Sequence, residues 1–283
     1  MRFTILGAAG FVGGELTREL RRQGHGVQAI GRGETPPDGK DLGHVFYCIG
    51  ITSDFRSQPF ATMQAHIAAL EPVLQRGGFE SFTYLSSTRV YKRALQTHEG
   101  SEIPVSVSDA DDLYNISKLA GESLCLSCGQ PNVRVARLSN VVGANDSSSN
   151  FLADIVRSAA GGHIAFRTAL ESAKDYILVS DVVALLIRIG TSGMHNIYNL
   201  ASGGNTTHEA IAVHLKSLTD CTYSVTSGAP LIIFPTIDTT RIRSEFSFTA
   251  QPVADIFSLL VGNARSTISA SFHSQNSSTK KLP

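Results

Sequence analysis

A glycine-rich loop near the start of the chain constrains the fold more than any other feature. An apolar run over residues 2–6 predicts a β-strand, and an amphipathic stretch over residues 11–22 predicts a helix. Glycines between them permit a tight turn and close approach of backbone N–H groups to a phosphate, which the helix N-terminus also favours. This order predicts a dinucleotide-binding loop. The residues expected to contact the cofactor are Gly7, Gly10, Phe11, Val12 and Gly13.

The first half of the chain alternates short apolar runs with longer amphipathic stretches, which is typical of a parallel sheet covered by helices. Later elements are shorter and less regular, and Thr206 with Glu209 predicts a capping box. We therefore predict an α/β fold, a Rossmann-type doubly wound parallel sheet with a smaller, irregular C-terminal substrate domain. The expected division is 1–143 and 177–200 for an NADP-binding domain, 144–176 and 201–265 for a substrate-binding domain, and 266–283 for a disordered tail.

Composition favours a small-molecule partner. Lys plus Arg and Asp plus Glu both number 24, so no overall field attracts nucleic acid or an acidic membrane surface. The chain has no apolar run of about 18 residues and no leader pattern at its start, so we expect no membrane span and a cytoplasmic location. Cys125 and Cys128 form one CxxC inside a helical pattern, where packing is favoured over metal binding. The histidines lack ligand spacing, and no metal is expected.

The residues after the second predicted strand bear on the choice of cofactor. An NAD-selective site usually presents a carboxylate there, whereas this strand is followed by Gly31 and Arg32. Arg32 is either a solvated surface residue or a partner for the 2′-phosphate of NADP(H). We expect NADP(H) as the preferred cofactor, with NAD(H) as the alternative.

Tyr114 and Lys118 are four residues apart in a predicted helix, and this spacing places them on one face. A nearby ammonium and a cationic nicotinamide ring both lower the pKa of a phenol. Tyr114 is therefore a candidate acid and base. Lys118 is a candidate to hold the nicotinamide ribose, so both residues are also expected to contact the cofactor. The alternative for this pair alone is an exposed Tyr–Lys contact.

With these motifs the sequence resembles the extended branch of the short-chain dehydrogenase/reductase superfamily, which comprises NAD(P)-dependent sugar-nucleotide epimerases, dehydratases and reductases. Four further segments carry the resemblance: residues 84–91, 135–143, 174–181 and 197–200. It implies that Ser87 is the catalytic Ser/Thr beside Tyr114 and Lys118. It also implies a substrate cleft with Ser87, Thr88 and Asn140. Lys174 either meets a substrate phosphate or forms a surface salt bridge, and a homodimer is a further expectation.

Two departures from that family narrow the expected reaction. Its dehydratases carry Asp-Glu directly after the catalytic Ser/Thr, where this chain has Thr88 and Arg89, so elimination is disfavoured. Twelve residues separate Arg32 from Val45, too few for the strand and helix that the family places there, so one strand is expected to be lost. The leading hypothesis is a ketoreductase acting on a sugar nucleotide. A cofactor-retaining epimerase is the alternative, followed by an NADP-sensing module without catalysis.

Overall fold

The computed structural model describes residues 1–31, 33–34, 36, 41–52, 54–144 and 150–278. Arg32, on which the expected cofactor preference depends, lies outside the described residues. The strands are β1 (Arg2–Leu6), β2 (Gly26–Ile30), β3 (His44–Tyr47), β4 (Ser81–Ser87), β5 (Val133–Leu138), β6 (Asn140–Val142), β7 (His163–Phe166), β8 (Ala173–Leu178), β9 (Ile197–Leu200), β10 (Asn205–Thr207) and β11 (Thr222–Val225). The helices are α1 (Phe11–Arg22), α2 (Pro59–Met63), α3 (Glu71–Arg76), α4 (Asp112–Ser127), α5 (Phe151–Ala160), α6 (Val179–Ser192), α7 (His208–Thr219), α8 (Thr240–Phe246) and α9 (Phe257–Ser278).

The first of two compact units consists of Met1–Val141, Asp175–Gly204 and Pro235–Gln251. It contains a parallel six-stranded sheet in the order β2-β1-β3-β4-β5-β9. Strands β3 and β5 are buried along their whole length, and in β5 the buried residues include Arg134 and Arg137. The predicted doubly wound parallel sheet is confirmed. In the part of the chain that the structure describes, β2 pairs with β1 alone and forms the sheet edge, as the short segment after Arg32 predicts.

Apolar side chains cover both faces of this sheet. On one face α1 contributes Leu16 and Leu20, and α6 contributes Leu186 and Ile189. The other face is covered by α3 and α4, with Leu74 and Cys125 among the buried residues. Burial of this kind stabilises by roughly 25 cal/mol per Å² of apolar surface. The two helix layers hold the carboxyl ends of the strands in fixed positions, and the candidate site lies there.

The second unit consists of Val142–Lys174, Asn205–Phe234 and Pro252–Pro283. Its strands β7 and β11 form a parallel pair. Asn150 caps α5 by accepting a hydrogen bond from the N–H of Ala153, 3.0 Å away. Thr207, and not the predicted Thr206, caps α7 by accepting from the N–H of Ala210 at 3.1 Å.

The largest differences from the predicted division lie in two segments. Residues 235–251 belong to the first unit because Ile242 and Phe246 are buried in its core. Helix α9 continues through Ser278, where a disordered tail was expected from residue 266 onward, and residues 279–283 lie outside the described residues. The assignment of cofactor and substrate to separate units stays a prediction.

Candidate active site

The glycine loop joins β1 to α1 with the geometry that its sequence predicts. Gly7 has a φ of +82°, a left-handed conformation that favours glycine. A Cβ on Gly13 would lie 2.4 Å from the carbonyl oxygen of Gly7, so only glycine fits at this position without a shift of the backbone. The loop therefore packs tightly against the first turn of α1.

The N-terminus of α1 suits an anionic ligand. Gly10 is the N-cap, and within α1, which is described in full, the cap has no side-chain hydrogen bond and the first turn has no acidic residue. The N–H groups of Phe11 and Val12 belong to this first turn, where the helix dipole favours negative charge. A groove of about 600 Å³ adjoins the loop. It is lined by Ala8, Ala9, Gly14, Thr17, Arg18, Arg21, Ala29, Gly31 and Glu34. These residues fit the pyrophosphate and adenosine parts of a dinucleotide.

Glu34 places a carboxylate at the end of β2. Its Oε2 accepts a hydrogen bond from the N–H of Gly31 at 2.8 Å. The sequence argument for NADP(H) assumed that this strand end lacks a carboxylate, and that assumption is wrong because the chain turns back after Gly31. Arg18 and Arg21 line the same groove, so both signs of charge are present there.

Tyr114 and Ser87 meet at the carboxyl end of the sheet. Ser87 is the last residue of β4, and Tyr114 lies in the first turn of α4 with 5% of its surface exposed. The Ser87 hydroxyl lies near enough to the phenol to lower its pKa, and the Ser87 Oγ accepts from the N–H of Arg89 at 3.2 Å. Burial raises the pKa of Tyr114, an effect that the nearby Ser87 hydroxyl and the charge of Arg89 oppose. Tyr114 is therefore a protonated phenol near neutral pH.

Lys118 is buried one turn further along α4. Its Nζ donates to the carbonyl oxygen of Leu85 at 2.9 Å and lies 5.0 Å from the centroid of the Tyr84 ring. Burial lowers the pKa of Lys118 to about 7, against the opposing effect of Glu122. The charge of Arg89 lowers the pKa of the Tyr114 phenol in this structure, and the effect expected of Lys118 stays a prediction.

His66 adjoins the site and was expected only to be structural or solvated. The apolar pattern of residues 60–76 predicts a single helix, but a π-helical turn, Gln64–Ala68, interrupts it and carries His66 inward. Its Nε2 accepts from the N–H of Ile51 at 3.3 Å, so Nδ1 donates to the Ser117 Oγ at 2.8 Å. The ring also packs edge-on against Tyr114 with centroids 5.5 Å apart. Burial lowers the pKa of His66 to about 2, so the ring is neutral and positions α4.

The other predicted substrate residues are in different surroundings. Thr88 is buried, with 5% of its surface exposed, whereas Asn140 is exposed. The Nδ2 of Asn140 donates to the carbonyl oxygen of Asp175 at 2.7 Å. Lys174 belongs to the second unit, where its Nζ lies 5.3 Å from the centroid of the Phe151 ring. The structure thus brings Ser87, Tyr114 and Lys118 to one end of the sheet in the first unit, together with the unpredicted His66.

A family model decides where the chain belongs. The model described as the NAD dependent epimerase/dehydratase family matches residues 45–201, more than half of the chain. The chain belongs to this family. Membership confirms the resemblance to the extended short-chain dehydrogenases/reductases and the expectation of a nicotinamide dinucleotide cofactor. The matched residues contain β3, β4 and α4, and therefore Ser87, Tyr114 and Lys118.

Known relatives of this chain agree with the family assignment. The chain is 32% identical over 163 residues to a GDP-6-deoxy-D-mannose reductase of Pseudomonas aeruginosa. That match covers 51% of the chain and 52% of the reductase, so the chain matches about half the length of this curated relative. Two solved structures share the fold at TM-scores of 0.79 and 0.76. MoeE5 in complex with UDP-glucose and NAD is 22% identical, with 95% of this chain and all of that chain covered. RMD from Pseudomonas aeruginosa complexed with NADPH is 21% identical, with 94% and 99% covered.

In the described ranges, the chain has no group of three or more His, Cys, Asp or Glu side chains that could hold a metal ion. Cys125 and Cys128 are free thiols, and the Cys128 Sγ donates to the carbonyl oxygen of Cys125. Among the residues described, no helix has the length and apolar character needed to cross a membrane.

Proposed function

We propose that this chain is an NADP(H)-dependent oxidoreductase that reduces a ketone or oxidises a secondary alcohol, with a 4-keto sugar nucleotide as substrate. The proximity of Tyr114 and Ser87 at the carboxyl end of β4 supports this most directly. A phenol and a hydroxyl that meet at a strand end can both reach one carbonyl oxygen. The family and the reductase relative favour the same class of reaction.

In the reducing direction, Tyr114 donates its phenolic proton to the substrate oxygen. Ser87 donates a hydrogen bond to the same oxygen as negative charge develops there. Lys118 holds the ribose hydroxyls of the cofactor and stays near Leu85, which fixes the orientation of α4. When bound, the nicotinamide dinucleotide supplies or accepts the hydride. In the oxidising direction, Tyr114 acts as the base that removes the hydroxyl proton.

For the cofactor we propose a preference for NADP(H) over NAD(H). The helix N-terminus at Gly10 takes the pyrophosphate, and Arg18, Arg21 and Arg32 are the cations proposed to attract a 2′-phosphate. Glu34 opposes this preference, because a carboxylate at the end of β2 repels a phosphate and accepts a hydrogen bond from a free 2′-hydroxyl. The balance between these groups sets the ratio of the two affinities.

The alternative is a sugar-nucleotide epimerase that retains its cofactor. The description of the family favours it, and the same three residues would oxidise and then reduce one sugar carbon. Dehydration is disfavoured because Thr88 and Arg89 replace the Asp-Glu pair expected of a dehydratase. The short segment between Arg32 and Val45 leaves less chain to cover the adenosine part of the cofactor, which suits a cofactor that dissociates after each turnover, as a reductase requires.

One experiment separates these reactions. The full chain is incubated with NADPH and a panel of 4-keto and 4-hydroxy sugar nucleotides, while absorbance at about 340 nm and the sugar products are followed. A reductase consumes one NADPH for each product formed, whereas an epimerase forms product with no net change in absorbance. Tyr114→Phe is expected to lower kcat by about 10²- to 10⁴-fold and to bind NADPH normally. Unchanged turnover by Tyr114→Phe would remove Tyr114 from the proposed mechanism.

Substrate, oligomeric state and location complete the proposal. The relatives named above act on or bind GDP- and UDP-linked sugars, which supports a sugar nucleotide as the substrate class. A homodimer stays a prediction that light scattering of the purified chain would check. A cytoplasmic location also stays a prediction.

A further inference from the structure

Arg89 contacts both members of the Tyr114–Ser87 pair, although the proposed mechanism gives it no role. Its guanidinium carbon lies 5.9 Å from the centroid of the Tyr114 ring and 5.2 Å from that of Phe55. Its backbone N–H donates to the Ser87 Oγ at 3.2 Å. One residue therefore holds the hydroxyl of the pair through its backbone and faces the phenol through its charge.

The charge of Arg89 is only loosely compensated. Its side chain is 32% exposed and its nearest carboxylate is Asp111, with Nη2 and Oδ2 3.7 Å apart. Asp111 is held more closely by Arg56, whose Nε lies 2.6 Å from Oδ1. The Nε of Arg89 is buried and has no hydrogen-bond partner among the described residues. Because its ion pair is long, much of the guanidinium field remains available to the phenol.

The other groups around Tyr114 do not supply this charge. From the π-helical turn, His66 presents a neutral ring, because burial and the nearby Lys118 lower its pKa to about 2. On α4 itself, Lys118 points to Leu85 and Tyr84. Phe55 packs on the phenol from the loop before α2 and is uncharged.

We infer that Arg89 is a positioning residue that stabilises the phenolate form of Tyr114 and orients Ser87. The inference rests on the proposed function, because it assigns a cation to the proton-transfer step of that same site. As Tyr114 gives its proton to the substrate oxygen, negative charge develops on the phenol beside the guanidinium. The opposite charges attract, which favours transfer. The guanidinium carries out this role through Tyr114 and does not itself exchange a proton.

The first test measures Tyr114 directly and needs no substrate. The full chain is labelled with ¹³Cζ-tyrosine, the Tyr114 resonance is assigned with Tyr114→Phe, and its ionisation is followed by NMR as the pH is raised. In Arg89→Gln, Tyr114 is expected to ionise about one pH unit higher than in the wild type, because a cation within about 6 Å is lost. The matched control is Arg56→Gln, which removes a cation that stacks on Phe55 and pairs with Asp111 without facing Tyr114. Its Tyr114 titration is expected to match that of the wild type.

Two outcomes would overturn the inference. One is an Arg89→Gln protein that is folded by circular dichroism and ionises Tyr114 at the wild-type pH. The other is an equal upward shift in Arg56→Gln, which would indicate a general effect of lost surface charge. If Arg89→Gln does not fold, Arg89→Met keeps a long side chain against the two rings without its charge, and the same shift is expected.

Kinetics then connect the inference to turnover. In the oxidising direction, Arg89→Gln is expected to move the acidic limb of the kcat profile upward by about one pH unit, with KM changed less than kcat. A loss confined to KM at every pH would contradict a role through Tyr114. If the NMR shift is found and no substrate is turned over, the proposed function fails while the Arg89–Tyr114 coupling stands. The two proposals are thereby distinguished.

Discussion

The clearest structural prediction compares alanine at two adjacent glycines of α1. A Cβ at Gly13 would lie 2.4 Å from the Gly7 oxygen, whereas a Cβ at Gly14 would lie 3.4 Å from the Ala8 oxygen, which is an ordinary contact. Both substitutions gain helix propensity, worth about 1 kcal/mol. Gly13→Ala must in addition move α1 away from the loop by about 1 Å, and overpacking of this kind costs about 1–3 kcal/mol. We therefore expect Gly13→Ala to be about 1–3 kcal/mol less stable than Gly14→Ala.

Urea unfolding of the two variants and the wild type, without cofactor, measures this difference. Gly14→Ala is expected to unfold at a higher urea concentration than the wild type, and Gly13→Ala at a lower concentration than Gly14→Ala. Calorimetry should give a gap of several degrees in Tm between the two variants. Because the Gly7 oxygen also accepts the N–H of Gly10 at 3.0 Å, Gly13→Ala should weaken NADPH binding as well. Equal stability of the two variants would refute the close-packing argument.

Three other predictions address pH, a buried carboxylate and the cofactor. Burial lowers the pKa of His66 to about 2 and of His208 to about 4, so below pH 6.5 the unfolded chain binds more protons than the folded one. The free energy of unfolding therefore falls with falling pH, by about 1.4 kcal/mol per pH unit for each histidine. In urea unfolding, His66→Asn should show a smaller dependence of this free energy on pH. Asp175 accepts hydrogen bonds from Ser202, Gly203 and Gly204, so Asp175→Asn should lose about 3 kcal/mol in the same assay. Glu34→Gln should raise the ratio of NADPH affinity to NADH affinity, and Arg32→Ala should lower it. Fluorescence titration with each cofactor measures this ratio. Equal effects on the two cofactors would contradict the roles proposed for Glu34 and Arg32 in cofactor preference.

Much of the first unit could be predicted because its signals are local. The apolar run of β1, the glycine loop and the amphipathic pattern of α1 lie within 22 consecutive residues, and their predicted bounds match the structure. The buried strand β3 is equally readable as a short apolar run. Residues 235–251 were misassigned because their membership depends on where Ile242 and Phe246 pack, and periodicity does not specify that partner.

Two residues near the candidate site, His66 and Glu34, were missed by the sequence analysis. His66 points inward because a π-helical turn inserts into a pattern that otherwise predicts one continuous helix. The Glu34 carboxylate accepts a hydrogen bond from the N–H of Gly31, so the linear order at the strand end was misleading. Both contacts depend on backbone geometry that residue types alone do not determine. Residue patterns therefore predicted a candidate site but not all of the charges around it.

Tyr114 and Lys118 show most directly which features the sequence predicts and which it does not. Spacing by four residues predicts that two side chains lie on one helical face, and the structure agrees with that. It does not predict which groups the long lysine side chain contacts, and Nζ bonds the Leu85 carbonyl because a buried ammonium requires an acceptor. Arg89 is 25 residues before Tyr114 in the chain, yet its guanidinium faces the ring. The electrostatics of the phenol thus depend on the end of β4 and the 3₁₀ turn that follows it, which place Ser87 and Arg89 next to Tyr114.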